Sequence, residues 1–304
     1  MGQTALRRIN PLRAVTAWKR SGAPASDLLP VVFLGFLSNA FLAIGVLLHL
    51  SRRQPTPKLD PTKTTLVKNE STPSQKNVID NYNSEGKNYD HIRYGRTRGG
   101  RFFSEVELKE TLLMMKAGNV LHVGTATGRV SADLVSKGFD YVGLELSNVM
   151  ARITKEKLSG SAHIVQADAE HLPFKKNTFD NVVSVRSFHF MPDPGRFLRD
   201  ANMVLKPSGR IIVSFEKKVR GREAFRKIMN LPPSKAKRIY YSNGQAVHLM
   251  QNAGFSTLHV GNVTKLPLLA YWRTNHEKTL RRIHPRIPSF FGTVGVVVGS
   301  KGAD

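Results

Sequence analysis

The feature that most constrains the fold of this chain is an apolar strand that runs directly into a turn bracketed by two glycines. Residues 120–128 read VLHVGTATG, in which Gly124 ends the strand and Gly128 precedes a helical stretch. Glycine permits the positive φ of such a turn and a close approach of the backbone to a ligand. The next strand, YVGLELS, ends at Glu145, where an acid suits a ribose diol. The pairing indicates a nucleotide-like cofactor, and a tight turn without a ligand is the alternative.

The segments that follow repeat the same strand and helix rhythm. HIVQADAEHLPF places Asp168 at the end of a third strand, and FDNVVSVRSFHF and LKPSGRIIVSF supply two further strands. Residues 242–254 predict a helix closed by Gly254, followed by the strand FSTLHVGNV. Such alternation predicts an α/β doubly wound sheet, which binds its ligands at the carboxyl ends of its strands.

These motifs, in this order, resemble the class I S-adenosylmethionine-dependent methyltransferases, closest to the branch of small-molecule and quinone C-methyltransferases. The resemblance covers about residues 80–301 and implies a mostly parallel, seven-stranded Rossmann-like sheet. It also implies an antiparallel seventh strand at the edge of the sheet, for which residues 292–299 are the candidate. S-adenosyl-L-methionine is the implied cofactor, and methyl transfer is the implied reaction.

The resemblance assigns a cofactor role to a set of residues in this chain. The glycine turn would wrap the methionine part, Glu145 would hold the ribose, Asp168 with its neighbours would flank the adenine, and NYDHIRYG would close over the cofactor. Carboxylates suit hydroxyl and amine donors. The implied cofactor-binding residues are Tyr89, Arg93, His122, Gly124, Thr125, Ala126, Thr127, Gly128, Glu145, Asp168, Ala169 and Glu170.

Two positions depart from the family pattern. The family usually has an acid where this chain has His122, and a glycine where it has Ala126. A neutral imidazole holds the cationic end of the cofactor less well than a carboxylate, and a Cβ makes positive φ costly. Both departures keep open a non-catalytic protein that retains the fold.

Methyl transfer asks the protein mainly to align an acceptor with the methyl group and, where needed, to supply a base. The resemblance places His189 after the fourth strand, at the position that faces substrate in the family. It is therefore the candidate catalytic residue as base or substrate positioner, and a histidine packed at a helix start is the alternative. The chain has no cysteine, which excludes disulfides, thiolate metal sites and cysteine-adduct chemistry. The ten histidines show no spacing typical of metal ligands, so no metal site is predicted.

The chain before the domain divides into three segments. Residues 28–50 contain no Asp, Glu, Lys or Arg over 23 positions, and a helix of that length, about 34 Å, crosses a bilayer. Residues 1–27 form a basic segment that resembles a targeting sequence. Residues 51–79, rich in Pro, Thr, Ser and Lys, predict a flexible linker. The methyltransferase domain is then expected over residues 80–304.

The basic N-terminus favours the mitochondrial inner membrane, and another organelle or a prokaryotic plasma membrane, with the domain on the cytoplasmic side, is the alternative. The net charge of +24 is concentrated at residues 206–238, which hold eleven Lys or Arg, and at residues 273–286. This charge favours attraction to anionic lipid, with RNA as a competing partner. The predicted function is methylation of a small apolar or lipid-like acceptor. An RNA- or ribosome-associated methyltransferase and a non-catalytic assembly factor are the alternatives.

Overall fold

The computed structural model describes residues 75–160, 162–219, 237–266, 271, 275–287 and 292–303. The predicted basic segment (1–27), membrane span (28–50) and nearly all of the predicted linker (51–79) lie outside these residues. Within the described part, the structure contains no helix with the length and apolar character needed to cross a bilayer.

The described residues alternate between strands and helices, as the sequence predicts. The strands are β1 (Asn119–Val123), β2 (Asp140–Glu145), β3 (His163–Gln166), β4 (Phe179–Val185), β5 (Leu205–Glu216), β6 (Phe255–Asn262) and β7 (Val294–Lys301). The helices are α1 (Gln75–Glu85), α2 (Arg98–Met114), α3 (Arg129–Ser136), α4 (Asn148–Lys157), α5 (Pro194–Val204), α6 (Asn243–Asn252) and α7 (Glu277–Ile283). Short turns of helix cover Gly86–Asn88, His91–Gly95, Phe188–Phe190 and His284–Arg286.

The seven strands form one sheet in the order β3-β2-β1-β4-β5-β7-β6. β1 to β5 are mutually parallel, and β7 pairs antiparallel with both β5 and β6. The predicted doubly wound, mostly parallel sheet is therefore confirmed. The prediction that the antiparallel strand lies at the edge is wrong. β7 is inserted between β5 and β6, and its almost entirely buried VGVVVGSK run fits this inner place, whereas the more exposed β6 is the edge strand.

Hydrophobic residues on the two faces of the sheet form two layers of core. In β1, Leu121 and Val123 pack against the layer that contains α5 and α6, whereas Val120 faces the layer that contains α2, α3 and α4. This alternation follows from the two-residue period of a strand. It also sends His122 to the α3 side, under the glycine turn.

Two predicted helix boundaries are confirmed, and one element starts earlier than expected. Ser242 caps α6 through a capping box with Gln245, and Gly254 follows the helix at φ +85°. At the other end of the domain, α1 begins at Gln75, within the segment expected to be a linker. The spacing of Val78, Ile79 and Tyr82 explains this helix, because residues three or four apart share a face.

Candidate active site

The glycine turn between β1 and α3 is built from three residues with positive φ. Gly124, Ala126 and Gly128 have φ of +79°, +50° and +74°. A Cβ at Gly124 would lie 2.4 Å from Cβ of Ser187, which neither side chain could tolerate. The Gly124 amide donates to the carbonyl of Leu144, 2.8 Å away, and this bond ties the turn to β2. Close packing therefore requires glycine here even before a ligand is considered.

Ala126 has a positive φ, the conformation that is costly for alanine and that the family's usual glycine would adopt without strain. An L-residue in the left-handed region costs about 1–2 kcal/mol relative to ordinary helical geometry. Two contacts hold it there: its amide donates to Oε2 of Glu145 at 2.8 Å, and its carbonyl accepts from Thr154 Oγ1 at 2.7 Å. The turn therefore keeps the glycine-like geometry although it carries a methyl group.

Glu145 ends β2 directly below this turn, with its carboxylate inside the cleft. Oε2 accepts from the Ala126 amide and Oε1 accepts from the Ser147 amide at 3.0 Å. Burial raises the pKa of Glu145, and the backbone hydrogen bonds oppose that rise. A carboxylate has about four acceptor positions, so one remains on each oxygen for the two hydroxyls of a ribose.

Asp168 and its neighbours follow β3 and form the next part of the cleft wall. Asp168 accepts from the amide of Glu170 at 3.0 Å and from the side chain of Gln75 at 2.6 Å. Glu170 is buried and accepts from the amide of Asp193 at 2.7 Å, and burial raises its pKa. Asp193 itself caps α5.

His122 lies beneath the glycine turn, fully enclosed by the domain. Its Nδ1 is 3.1 Å from Tyr141 Oη and 3.3 Å from Ser131 Oγ, whereas Nε2 has no hydrogen-bond partner within the described part of the chain. Burial, with the nearby charge of Arg129, lowers the pKa of His122 to about 3. The imidazole is therefore neutral at physiological pH. It brings a polar nitrogen but no charge to the position where the family usually has an acid.

The depressed pKa of His122 makes the protein less stable in mild acid. The unfolded histidine takes up a proton near pH 6.5, while the folded one resists protonation down to about pH 3, so stability falls as the pH drops from 6.5 towards 3. We expect His122 to contribute a loss of about 2–3 kcal/mol between pH 7 and pH 4.5. His122→Asn, which keeps a polar group near Nδ1, should remove that part of the loss. Thermal unfolding of both proteins from pH 4.5 to 7 measures it, and parallel profiles would contradict the assignment.

The N-terminal part of the domain covers the cleft. Tyr82 of α1 stacks on Tyr89 with ring centroids 5.6 Å apart, and Arg93 lies 5.7 Å over the Tyr89 ring. Arg93 also forms an ion pair with Glu85. The segment is fastened to the glycine turn, because Thr127 Oγ1 donates to Asp90. The covering helix α1 was missed by the sequence interpretation, which assigned its first turn to the linker.

The far side of the cleft is formed by the ends of β4 and β5. His189 lies in the Phe188–Phe190 turn, is 1% exposed and lines the cleft, with its ring 4.4 Å from that of Phe190. Its carbonyl accepts from the amide of Ile239 at 2.8 Å, which joins this turn to the segment before α6. His189 is thus both packed and at the cleft surface, so its role stays a prediction.

One cleft of about 1130 Å³, including its open mouth, collects nearly all of the residues assigned from sequence. Gly128 is the exception: it does not line the cleft but starts α3 with positive φ, and a Cβ there would lie 2.8 Å from Thr154. Sequence interpretation gave no site role to several other residues that line the cleft. These are Gln75, Val78, Ile79, Tyr82, Arg129 and Glu216.

Comparison with known proteins agrees with this geometry. Residues 121–213 match the family model described as a methyltransferase domain. The chain carries a methyltransferase domain. A ubiquinone/menaquinone biosynthesis C-methyltransferase from Wigglesworthia glossinidia brevipalpis is 35% identical over 95 residues, which is 30% of this chain and 38% of that protein. A sterol 4-C-methyltransferase from Caenorhabditis elegans is 29% identical over 111 residues, covering 35% of this chain and 33% of the relative.

The match therefore spans well under half of the length of each of these relatives. A solved S-adenosylmethionine-dependent methyltransferase from Thermotoga maritima has the same fold, with a TM-score of 0.56 and 24% identity. That comparison covers 75% of this chain and all of the other. The implied cofactor of the domain is S-adenosylmethionine. The residues present suit it, because the buried Glu145 keeps an acceptor position on each oxygen for the ribose hydroxyls.

Proposed function

We propose that this protein is a membrane-anchored S-adenosylmethionine-dependent methyltransferase that acts on a small apolar or lipid-like acceptor. The observation that carries the proposal is the order of groups along one cleft. The glycine turn follows β1, Glu145 ends β2 and Asp168 follows β3, an order that would suit the methionine, ribose and adenine of a bound cofactor.

In this reaction the protein mainly aligns the acceptor with the methyl group and supplies few reacting groups of its own. The bound cofactor supplies an electrophilic methyl group on its sulfonium. The enclosing side chains of α1 and the Phe188–Phe190 turn exclude water and hold the acceptor, and His189 at the cleft surface positions it or accepts its proton. Direct displacement then completes the transfer without a covalent enzyme intermediate.

An apolar acceptor is favoured by the lining of the cleft and by the relatives. Tyr82, Tyr89 and Phe190 form an aromatic wall, with Tyr82 and Phe190 5.7 Å apart in an edge-on arrangement. The two curated relatives carry names of quinone and sterol C-methyltransferases, whose acceptors are apolar rings. These observations support a ring or lipid-like molecule of the same class as substrate here.

Membrane anchoring is proposed from residues 28–50, which carry no charged side chain, with a basic segment before them. The excess of Lys and Arg in the rest of the chain would strengthen contact with anionic lipid. The mitochondrial inner membrane is the proposed location. An apolar acceptor dissolved in that membrane would then be close to the cleft.

One experiment tests anchoring and transfer together. Membranes from cells that express the full chain are washed with alkaline carbonate and supplied with methyl-labelled S-adenosylmethionine. We expect the protein to stay in the pellet and the label to enter the fraction extracted by organic solvent. The Asp168→Ala variant, as control, should transfer less label. Label in RNA instead would favour an RNA methyltransferase. Retention of the protein with no transfer to any fraction would favour a non-catalytic assembly factor.

A further inference from the structure

The carboxyl ends of β4 and β5 form the part of the cleft that the cofactor groups do not use. The glycine turn follows β1, Glu145 ends β2 and Asp168 follows β3, and these three strands form the other half of the parallel sheet. A cofactor bound along them ends with its methionine part next to β4. The acceptor must therefore lie over β4 and β5, where Arg186, Glu216 and Arg238 line the cleft.

Buried charges of alternating sign run through this region. Arg129 pairs with Glu107 at 2.5 Å, Arg186 lies 3.9 Å from Glu107 and 3.7 Å from Glu216, and Arg238 pairs with Glu216 at 2.6 Å. Within the described part of the chain, the series begins with Arg129 and ends with Arg238. Among the described residues it thus holds three cations and two carboxylates in a poorly solvated place, which favours a negative charge on a ligand.

Arg238 is the terminal cation, and it still has a donor to offer. Its side chain is 14% exposed and lines the cleft. Nη1 donates to Oε1 of Glu216, while Nε is buried and has no hydrogen-bond partner among the residues that the structure describes. A buried N–H without an acceptor is costly, so a shift of the side chain that brings Nε to a ligand oxygen would be favoured. The pairing with Glu216 keeps the guanidinium in place for such a contact.

The aromatic groups beside Arg238 indicate what carries that oxygen. The guanidinium lies 5.3 Å over the ring of Phe190, and Tyr82 meets the same ring edge-on at 5.7 Å. Burial raises the pKa of Tyr82 to about 12, so its hydroxyl stays neutral. A planar ring would pack against the cleft side of these side chains, and an acidic substituent on it would reach Arg238.

We propose that Arg238 is a specificity-determining residue that binds an anionic oxygen, a carboxylate or an ionised hydroxyl, on an aromatic acceptor. This inference rests on the proposed function, which makes this part of the cleft an acceptor site. It deepens that function by naming the chemical group that is recognised. Apolar packing alone would accept any ring of suitable size. The charge-assisted bond to Arg238 selects rings that carry an acidic oxygen.

The test uses two probes of equal shape and different charge, 4-hydroxybenzoate and 4-hydroxybenzamide. Their binding to the full chain in detergent is measured by calorimetry with and without saturating S-adenosylhomocysteine. We expect the benzoate to bind about tenfold more tightly than the amide, as one charge-assisted hydrogen bond allows. Arg238→Gln should abolish this preference, and Arg238→Lys should keep part of it. Lys218→Gln removes a nearby exposed charge outside the cleft and should change nothing.

The outcomes separate this inference from the proposed function. If the natural protein binds S-adenosylhomocysteine but shows no preference for the benzoate, or if Arg238→Gln keeps that preference, the inference is overturned alone. If an Arg238-dependent preference appears without any binding of S-adenosylhomocysteine, the inference stands and the methyltransferase function fails. If the natural protein binds neither S-adenosylhomocysteine nor the benzoate, both the inference and the proposed function are overturned. Unchanged affinity of Arg238→Gln for S-adenosylhomocysteine would show that this variant is folded.

Discussion

Glu145→Ala is expected to weaken S-adenosylmethionine binding about 100-fold. The carboxylate would accept from two ribose hydroxyls, and a hydrogen bond to a charged group contributes about 1.5–3 kcal/mol. The same side chain holds the Ala126 and Ser147 amides, so its removal also loosens the strained turn. Calorimetric titration of the full chain with the cofactor measures the change.

Two further variants show whether the loss arises at the ribose. Glu145→Gln keeps the shape but not the charge and should give a smaller loss, about tenfold, because an amide is a weaker acceptor for the hydroxyls. Asp140→Ala, at the exposed start of the same strand, should leave the affinity unchanged. Near-normal binding by Glu145→Ala would mean that the cofactor lies elsewhere in the cleft.

Glu107→Ala should destabilise the domain by about 3–5 kcal/mol, the cost of removing one partner of a buried ion pair. Glu107 is fully buried, and Oε2 accepts from Arg129 at 2.5 Å while Oε1 lies 3.9 Å from Arg186. Without this carboxylate, two buried guanidinium groups face each other. Urea or thermal unfolding of the full chain, monitored through a signal that arises from the domain, gives the change in the free energy of unfolding.

A second glutamate on the same helix provides the matched control. Glu105 pairs with Arg281 at 2.6 Å, but its side chain is 56% exposed, and exposed pairs contribute about 0–1 kcal/mol. Glu105→Ala should therefore have little effect on unfolding. Similar losses in the two variants would show that helix propensity or packing, rather than the buried charge, accounts for the effect.

The two departures from the family pattern have different structural outcomes. Ala126 keeps the positive φ of the glycine that it replaces, held by Glu145 and Thr154, so the turn retains its shape at some cost in strain. His122 is a neutral group where the family usually has a carboxylate. The cofactor's ammonium would therefore meet weaker attraction here, which makes modest affinity an expected property of this protein.

The sequence was sufficient for the parallel part of the sheet because its signals are local. Strands with a two-residue period, glycine turns and acids at strand ends place Gly124, Glu145 and Asp168 at one edge once the strands are parallel. The capped helix α6 was equally clear, since Ser242, Gln245 and Gly254 lie within a single short segment. Each of these features depends on neighbours in the chain.

What only the tertiary structure decided depends on contacts between residues far apart in the chain. β7 lies inside the sheet because it pairs with both β5 and β6, and no local pattern distinguishes that from an edge. Glu107 and Arg238 belong to one series of charges although 131 positions separate their numbers. Sequence alone thus determined the cofactor half of the cleft through local strand and turn chemistry. Folding decided its acceptor half, because opposite charges become partners only when packing excludes water around them.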